Sequence, residues 1–304
     1  MSRAGMAAWS RRGAMLGGAA ALAACNAKPA KPSGAGLAGG PARGSLEWAV
    51  AGDWRLAPDK ARDGWRHPLK SLRFWGLKPG MTVVEFWPGE GWYTDILAPY
   101  LTATRGTLYA ANLEVDEPSE PAARAVVQAY RKKLLARPDL YGAVKLTSFG
   151  HHSGPVAPAG SADLALFLRN VHNWMAAGLA EMAFHDAFAA LKPGGVLGVE
   201  EHRARPGGVQ DVVAASGYVQ QAYVVQLAKE AGFTLAASSE INANPKDARD
   251  HPFGVWTLPP TRRSAPEGRP PDPGFDHRKY DAIGESDRMT LKFVKPGAHS
   301  LPPH

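Results

Sequence analysis

Met81–Thr94 reads MTVVEFWPGEGWYT. The apolar run Met81–Phe86 carries one acid, Glu85, and breaks at Trp87-Pro88 into a turn with two glycines, Gly89 and Gly91. A helix-like segment, Trp92–Leu101, follows at once. Strand, tight turn and helix N-terminus together open a nucleotide-binding α/β domain. The glycines let the backbone approach a ligand with no Cβ in the way, and the helix behind them offers free N–H groups.

Outward from this unit, strand-like and helix-like segments alternate. Strands are expected at Gly106–Asn112, Val144–Phe149, Ala162–Leu168, Val196–Glu201, Phe233–Ile241 and Met289–Lys295. Helices are expected at Pro121–Ala136, with a Val126, Tyr130, Leu134 stripe, at Leu179–Leu191 and at Tyr218–Ala231. Lys192-Pro193-Gly194-Gly195 reads as a helix stop. Such alternation means a mostly parallel sheet covered on both faces. The last two strands lack a clear helix between them, which suggests a β-hairpin at the sheet edge. Leu46–Leu77, rich in Trp and charge, is expected to form helices capping one edge, and 242–284, rich in Pro, Arg and Asp, to form a lid or edge-covering excursion. The folded domain spans 46–298.

The chain has 304 residues, 45% apolar and 21% charged, enough for a sizeable core. Residues 1–25, MSRAGMAAWSRRGAMLGGAAALAAC, place Arg11-Arg12 before a Gly/Ala-rich stretch too short to span a bilayer. This looks like a twin-arginine export signal ending in a lipobox at Cys25, the single cysteine of the chain. Export to the periplasm with a lipid anchor is therefore expected, with residues 26–45 as a tether. Removing the leader takes away Arg3, Arg11 and Arg12 and no acid, so the net charge of +7 falls to +4. That is too mild to imply a nucleic-acid partner. A small-molecule substrate is expected.

The blocks EFWPGEG, YAAN, SADLALF and LKPGGVLGV resemble the class I S-adenosylmethionine-dependent methyltransferases. RNVHNW, EHRA, SEINANPKD, GVWTLPP and IGESDRMTLKFVKP look like a bacterial group of exported methyltransferases, and the resemblance runs from about Trp54 to Pro296. It implies a Rossmann-like α/β sheet of seven mostly parallel strands with a terminal hairpin, S-adenosylmethionine as cofactor, and methyl transfer to a small molecule. It also implies cofactor contacts at Glu85, Trp87, Gly89, Gly91, Asn112, Glu114, His151 and Arg169, and matches the acid at the fourth strand to Asp163. Three positions depart from the family pattern. Trp87 stands for the first glycine, where it narrows the approach or gives the cofactor a packing surface. Asn112 stands for the ribose-binding acid, with Glu114 two residues on. His151 stands for the acid after the third strand.

In open α/β sheets ligands sit outside the carboxyl ends of the strands, and several of those ends carry histidine. His151 and His152 follow the third strand, His172 the fourth, and His202 the fifth, beside Glu200 and Glu201; His251 lies in the excursion. One reading is that they merely bond to loops. A second makes His172 or His202, paired with Glu201, the acceptor of a proton from the methylated nucleophile. A third makes them ligands of zinc or another divalent ion. Arg55, Arg62, Asp63 and Arg66 read either as cofactor-carboxylate contacts or as a surface ion-pair network. Trp87 and Trp92 read as stacking surfaces or as core, and Glu285, Asp287 and Arg288 as a turn with an ion pair. Two other functions stay open at this point: an exported, non-catalytic ligand- or metal-binding protein on this scaffold, and a metal-dependent hydrolase.

Overall fold

Each strand grows from one of the apolar runs, and its residues divide between two faces with the period of two that a pleated strand imposes. In the computed structural model, residues 40–115 and 121–297 are described. The leader with Cys25, and the tether up to residue 39, lie outside the described residues.

Four short helices come first: α1 (Leu46–Ala51), α2 (Ala57–Ala61), α3 (Asp63–Arg66) and α4 (Pro68–Trp75). Then follow β1 (Thr82–Phe86), α5 (Thr94–Ala103), β2 (Thr107–Leu113), α6 (Pro121–Ala136), α7 (Pro138–Tyr141) and β3 (Val144–Phe149). The second half holds β4 (Ala162–Leu168), α8 (Val171–Ala177), α9 (Ala180–Ala190), β5 (Leu191–His202), α10 (Gln221–Glu230) and β6 (Thr234–Ser239). A 3-10 turn (Gly254–Thr257), α11 (Arg278–Asp281) and β7 (Arg288–Val294) close the chain. The seven strands lie in the order β3-β2-β1-β4-β5-β7-β6. Neighbours among β1 to β5 pair in parallel, and β7 runs antiparallel to both β5 and β6. This is the Rossmann-like sheet expected from the sequence. The order reverses between β1 and β4, which fixes where a ligand crevice belongs. No helix among the described residues is long and apolar enough to cross a membrane.

One face carries Val84, Phe86, Phe167 and Val199 under α8, α9 and α10, whose Trp174, Phe184 and Leu227 pack on it. The other carries Val83, Leu108 and Leu166 beneath Ala49, Leu72, Trp75, Ile96 and Leu97. α1 and α4 therefore cover a face of the sheet instead of capping its edge. Trp75 explains the placement: its ring lies on Gly198 of β5, and its Nε1 donates to the Leu291 carbonyl of β7 at 3.0 Å.

Other boundaries move for physical reasons. The buried stripe of α6 is Ala123, Val127, Tyr130, Leu134, not the one through Val126, because successive four-residue steps overshoot a 3.6-residue turn. The helix expected over Leu179–Leu191 ends at Ala190, and Lys192–Gly195 lies within β5, its backbone bonded to Lys295 beyond β7. Tyr218 and Val219 stay extended before α10, held by a bridge from Val219 to Arg203. RNVHNW, for which no element was expected, enters α8.

Glu85 points to the α5 face and is buried. Its Oε2 accepts the Thr94 hydroxyl at 2.6 Å, and Thr94 in turn meets the Tyr130 hydroxyl at 3.0 Å, so one carboxyl ties β1 to α5 and α6. Burial, opposed by the Thr94 bond, raises the Glu85 pKa from 4.5 to about 7. Asp163 has a similar tying role: it accepts the Thr82 N–H at 2.8 Å and Lys192 Nζ at 2.6 Å.

Two outcomes test this packing. Gly198→Ala places a Cβ about 2.6 Å from the Trp75 ring; it should cost about 1–3 kcal/mol, seen as a lower urea midpoint with unchanged slope. For Glu85, the folded carboxyl keeps its proton up to about pH 7 while the unfolded one releases it near 4.5, so wild-type stability falls as pH rises through that window. Glu85→Gln should lack this fall, gaining about 3 kcal/mol on wild type between the two ends of the window, measured by urea unfolding at each pH.

Candidate active site

The glycine turn is built as the sequence implied. Gly89 and Gly91 both take positive φ, at 61° and 89°. A Cβ on Gly91 would press on Tyr130, Lys133 and Thr94, whereas one on Gly89 would meet nothing within 4 Å. Lys133 reaches from α6 to the Glu90 carbonyl at 2.9 Å and to Asp95 at 2.6 Å, bracing the turn against α5.

The other cofactor candidates have mixed placements. Trp87 also takes positive φ, at 45°, but its ring is buried between Phe149 and Trp174, and Nε1 donates to the Phe149 carbonyl at the end of β3. The indole belongs to the core. Asn112 turns Oδ1 onto the Leu113 N–H at 2.8 Å, and its buried Nδ2 has no partner among the described residues. Glu114 accepts the His152 N–H at 3.1 Å, stapling the end of β2 to the loop after β3. His151 is exposed and meets the Ala177 carbonyl at 3.1 Å.

A cavity lies at the carboxyl ends of β4 and β5. It measures about 200 Å³ and is walled by Arg62, Arg66, Arg169, His172, His202 and Trp256, with Glu285 and Ser286 behind. Of the eight cofactor candidates, Arg169 alone lines it. His172 and His202 do converge, with ring centroids 5.1 Å apart. His151 and His152 do not join them, and His251 is bonded to Asp247 at 2.8 Å and packed on Tyr280.

Glu201 organises the pair. Its Oε2 accepts the Val171 N–H at 2.7 Å and, more weakly, that of His172 at 3.4 Å; its Oε1 accepts the His202 N–H at 2.7 Å. His172 Nδ1 meets the same Oε1 at 2.9 Å. A carboxylate receiving backbone donors is an acceptor here, so Nδ1 of His172 carries a proton, and in the neutral imidazole the lone pair sits on Nε2. Nε2 has no partner among the described residues. His202 places Nδ1 2.5 Å from the Ser286 hydroxyl. Burial, reinforced by His172, Arg288 and Arg169, pushes the His202 pKa well below 6.5 and keeps it neutral.

His172, Glu201 and His202 bring three donor atoms within 4.8 Å of one another, the spacing of a metal site. Both Glu201 oxygens are already taken, so ligation would strip hydrogen bonds from α8 and β5. A carboxylate that holds one ring nitrogen of His172 orients the other equally for a base and for a metal ligand.

Sequence reasoning missed Ser286 and Trp256. Both sit in the blocks IGESDRM and GVWTLPP, which carry no local chemical pattern. Glu285, Asp287 and Arg288 form more than a turn: Arg288 is fully buried and bonds Glu200 at 3.1 Å and Glu285 at 3.0 Å.

No family model and no curated protein matches the chain. Solved structures do. The (4+2)-cyclase SpnF aligns with a TM-score of 0.50 at 16% identity, over 82% of this chain and 85% of that one. A SAM-dependent methyltransferase from Aquifex aeolicus aligns at 0.46 and 18%, over 62% of this chain and 94% of that one. The N-methyltransferase NodS from Bradyrhizobium japonicum, in complex with S-adenosyl-l-homocysteine, aligns at 0.45 and 15%, over 84% and 98%. The fold is thus the α/β fold of the class I methyltransferase structures, here at sequence identities too low to carry an activity.

Proposed function

We propose that this chain is an enzyme that transfers a methyl group from S-adenosylmethionine to a small molecule bound in the cavity, with His172 as proton acceptor. The observation that carries this reading is the Glu201–His172 pair. It fixes the tautomer and leaves Nε2 free at the cavity wall, which is what a base needs.

Two features fit the cofactor. The Gly89 side of the turn is open, and Asn112 Nδ2 is a buried donor awaiting an acceptor such as a ribose hydroxyl. Gly89, Gly91 and Asn112 would hold the group, which supplies an electrophilic methyl on sulfur when bound. The chain's own residues do the rest. The cavity walls orient the nucleophile, and positioning is the main demand of an in-line displacement. His172 Nε2 takes the nucleophile's proton, and Glu201 stabilises the imidazolium that forms. His202, held neutral, keeps a second positive charge away from His172.

One observation favours a second reading. The Trp87 indole covers the end of β3, where a glycine in the family pattern leaves room. On that reading the same base works without the cofactor, and a structure of this fold that bears the name of a cyclase supports such a change of chemistry.

Calorimetry on the full-length protein separates the two. Saturable binding of S-adenosylmethionine and S-adenosylhomocysteine is expected, weakened roughly tenfold in Asn112→Ala, the equivalent of about one hydrogen bond. Absence of binding in folded protein would leave the cofactor-independent reading. A histidine-resolved NMR titration should show the His202 ring unchanged from about pH 8 to about pH 6, across the ordinary histidine pKa; a midpoint in that range would show that the site does not hold it neutral.

A further inference from the structure

Four arginines meet at one end of the sheet: Arg62 at the junction of α2 and α3, Arg66 at the end of α3, Arg169 after β4, and Arg288 at the start of β7. Two carboxylates stand among them. Glu285 receives Arg62 Nε at 2.9 Å, Arg66 Nε at 2.9 Å and Arg288 Nη1 at 3.0 Å. Glu200 receives Arg169 Nη1 at 3.0 Å and Arg288 Nη1 at 3.1 Å, and also the Tyr93 hydroxyl. Glu201 adds a third negative charge, but its oxygens are spent on His172 and backbone N–H groups. Arg288 is internal, with Nη2 on the Trp65 carbonyl.

The other three line the cavity with donors to spare. Both Nη atoms of Arg66, Nη2 of Arg62, and Nε and Nη2 of Arg169 have no hydrogen-bond partner among the described residues. The Arg66 guanidinium also lies over the Trp92 ring, 4.9 Å from its centroid. Fixed forks with unspent N–H groups, in a pocket where cations outnumber anions, match a planar carboxylate or a phosphate.

We infer that the cavity binds a small substrate bearing a carboxylate or phosphate group, held by Arg62, Arg66 and Arg169 so that the rest of the molecule reaches His172 Nε2. This deepens the reading of His172 as the base and rests on it for the orientation alone. The size agrees, because about 200 Å³ is below the range of pockets for drug-sized ligands. A short acid or a compact phosphate ester fits within it.

The test uses calorimetry on the full-length protein without cofactor, with inorganic phosphate and malonate as probes and malonamide as the uncharged control. Saturable binding of at least one anion is expected, with none of malonamide, and affinity should fall as sodium chloride is raised. The tighter of the two anions identifies the recognised group. Arg62→Gln should weaken binding at least tenfold, and Arg62→Lys, which keeps the charge without the fork, should recover part of it. Arg169→Gln gives a second route, and cooperative thermal unfolding shows that each variant is folded. No saturable binding of either anion, equal binding of malonamide, or wild-type affinity in both glutamine variants would overturn the inference. These readouts need neither His172 nor added S-adenosylmethionine, so their failure is distinct from failure of the methyl-transfer reading; a repeat with saturating S-adenosylmethionine should leave anion binding in place, and its loss would assign the arginines to the cofactor's own carboxylate and overturn the inference.

Discussion

The site depends on the carboxylate of Glu201. A fully buried acid is costly unless its oxygens are satisfied. This one is satisfied by three backbone N–H groups and one imidazole, drawn from the end of β5 and the first turn of α8. The same four bonds cap a helix, fix its distance from the neighbouring strand and set the tautomer of His172. Structural and chemical demands therefore meet in one group, and neither can change without the other.

That arrangement also shows what the sequence could disclose. The strand–turn–helix unit at Met81–Thr94 and all seven strands were legible, because buried strands leave apolar runs bounded by turn residues. His172, Glu201 and His202 were legible as a set, because all three fall at strand ends where ligands sit in this class of sheet. α8 was not legible. It has only seven residues, and Asn170 before it makes no side-chain cap. Its cap is Glu201, 30 residues away from Val171, so no local window contains the signal.

The arginine cluster was half legible for the same reason. Arg62 and Arg66 stand out in the N-terminal segment, yet their partner Glu285 lies 223 and 219 residues away. Pairing over such distances decides whether a charged helix faces solvent or a cavity, and local pattern holds no record of it. Trp87 is the opposite case. Its position in the glycine turn was plain, but its direction was not; the core around Phe149 and Trp174 draws the indole inward.

The placement of β7 between β5 and β6 has a consequence for how the site comes into being. Glu285, Ser286 and Arg288 arrive with the final strand, after every other wall of the cavity has been synthesised. Until that strand slots between its neighbours, Arg62 and Arg66 lack their shared counter-charge and His202 lacks its hydroxyl partner. Contacts of this separation form late and slowly. The cavity is thus a certificate of completion: a chain that has closed only its parallel strands is a scaffold with a glycine turn, and the last of the cavity wall arrives in the same step that finishes the sheet.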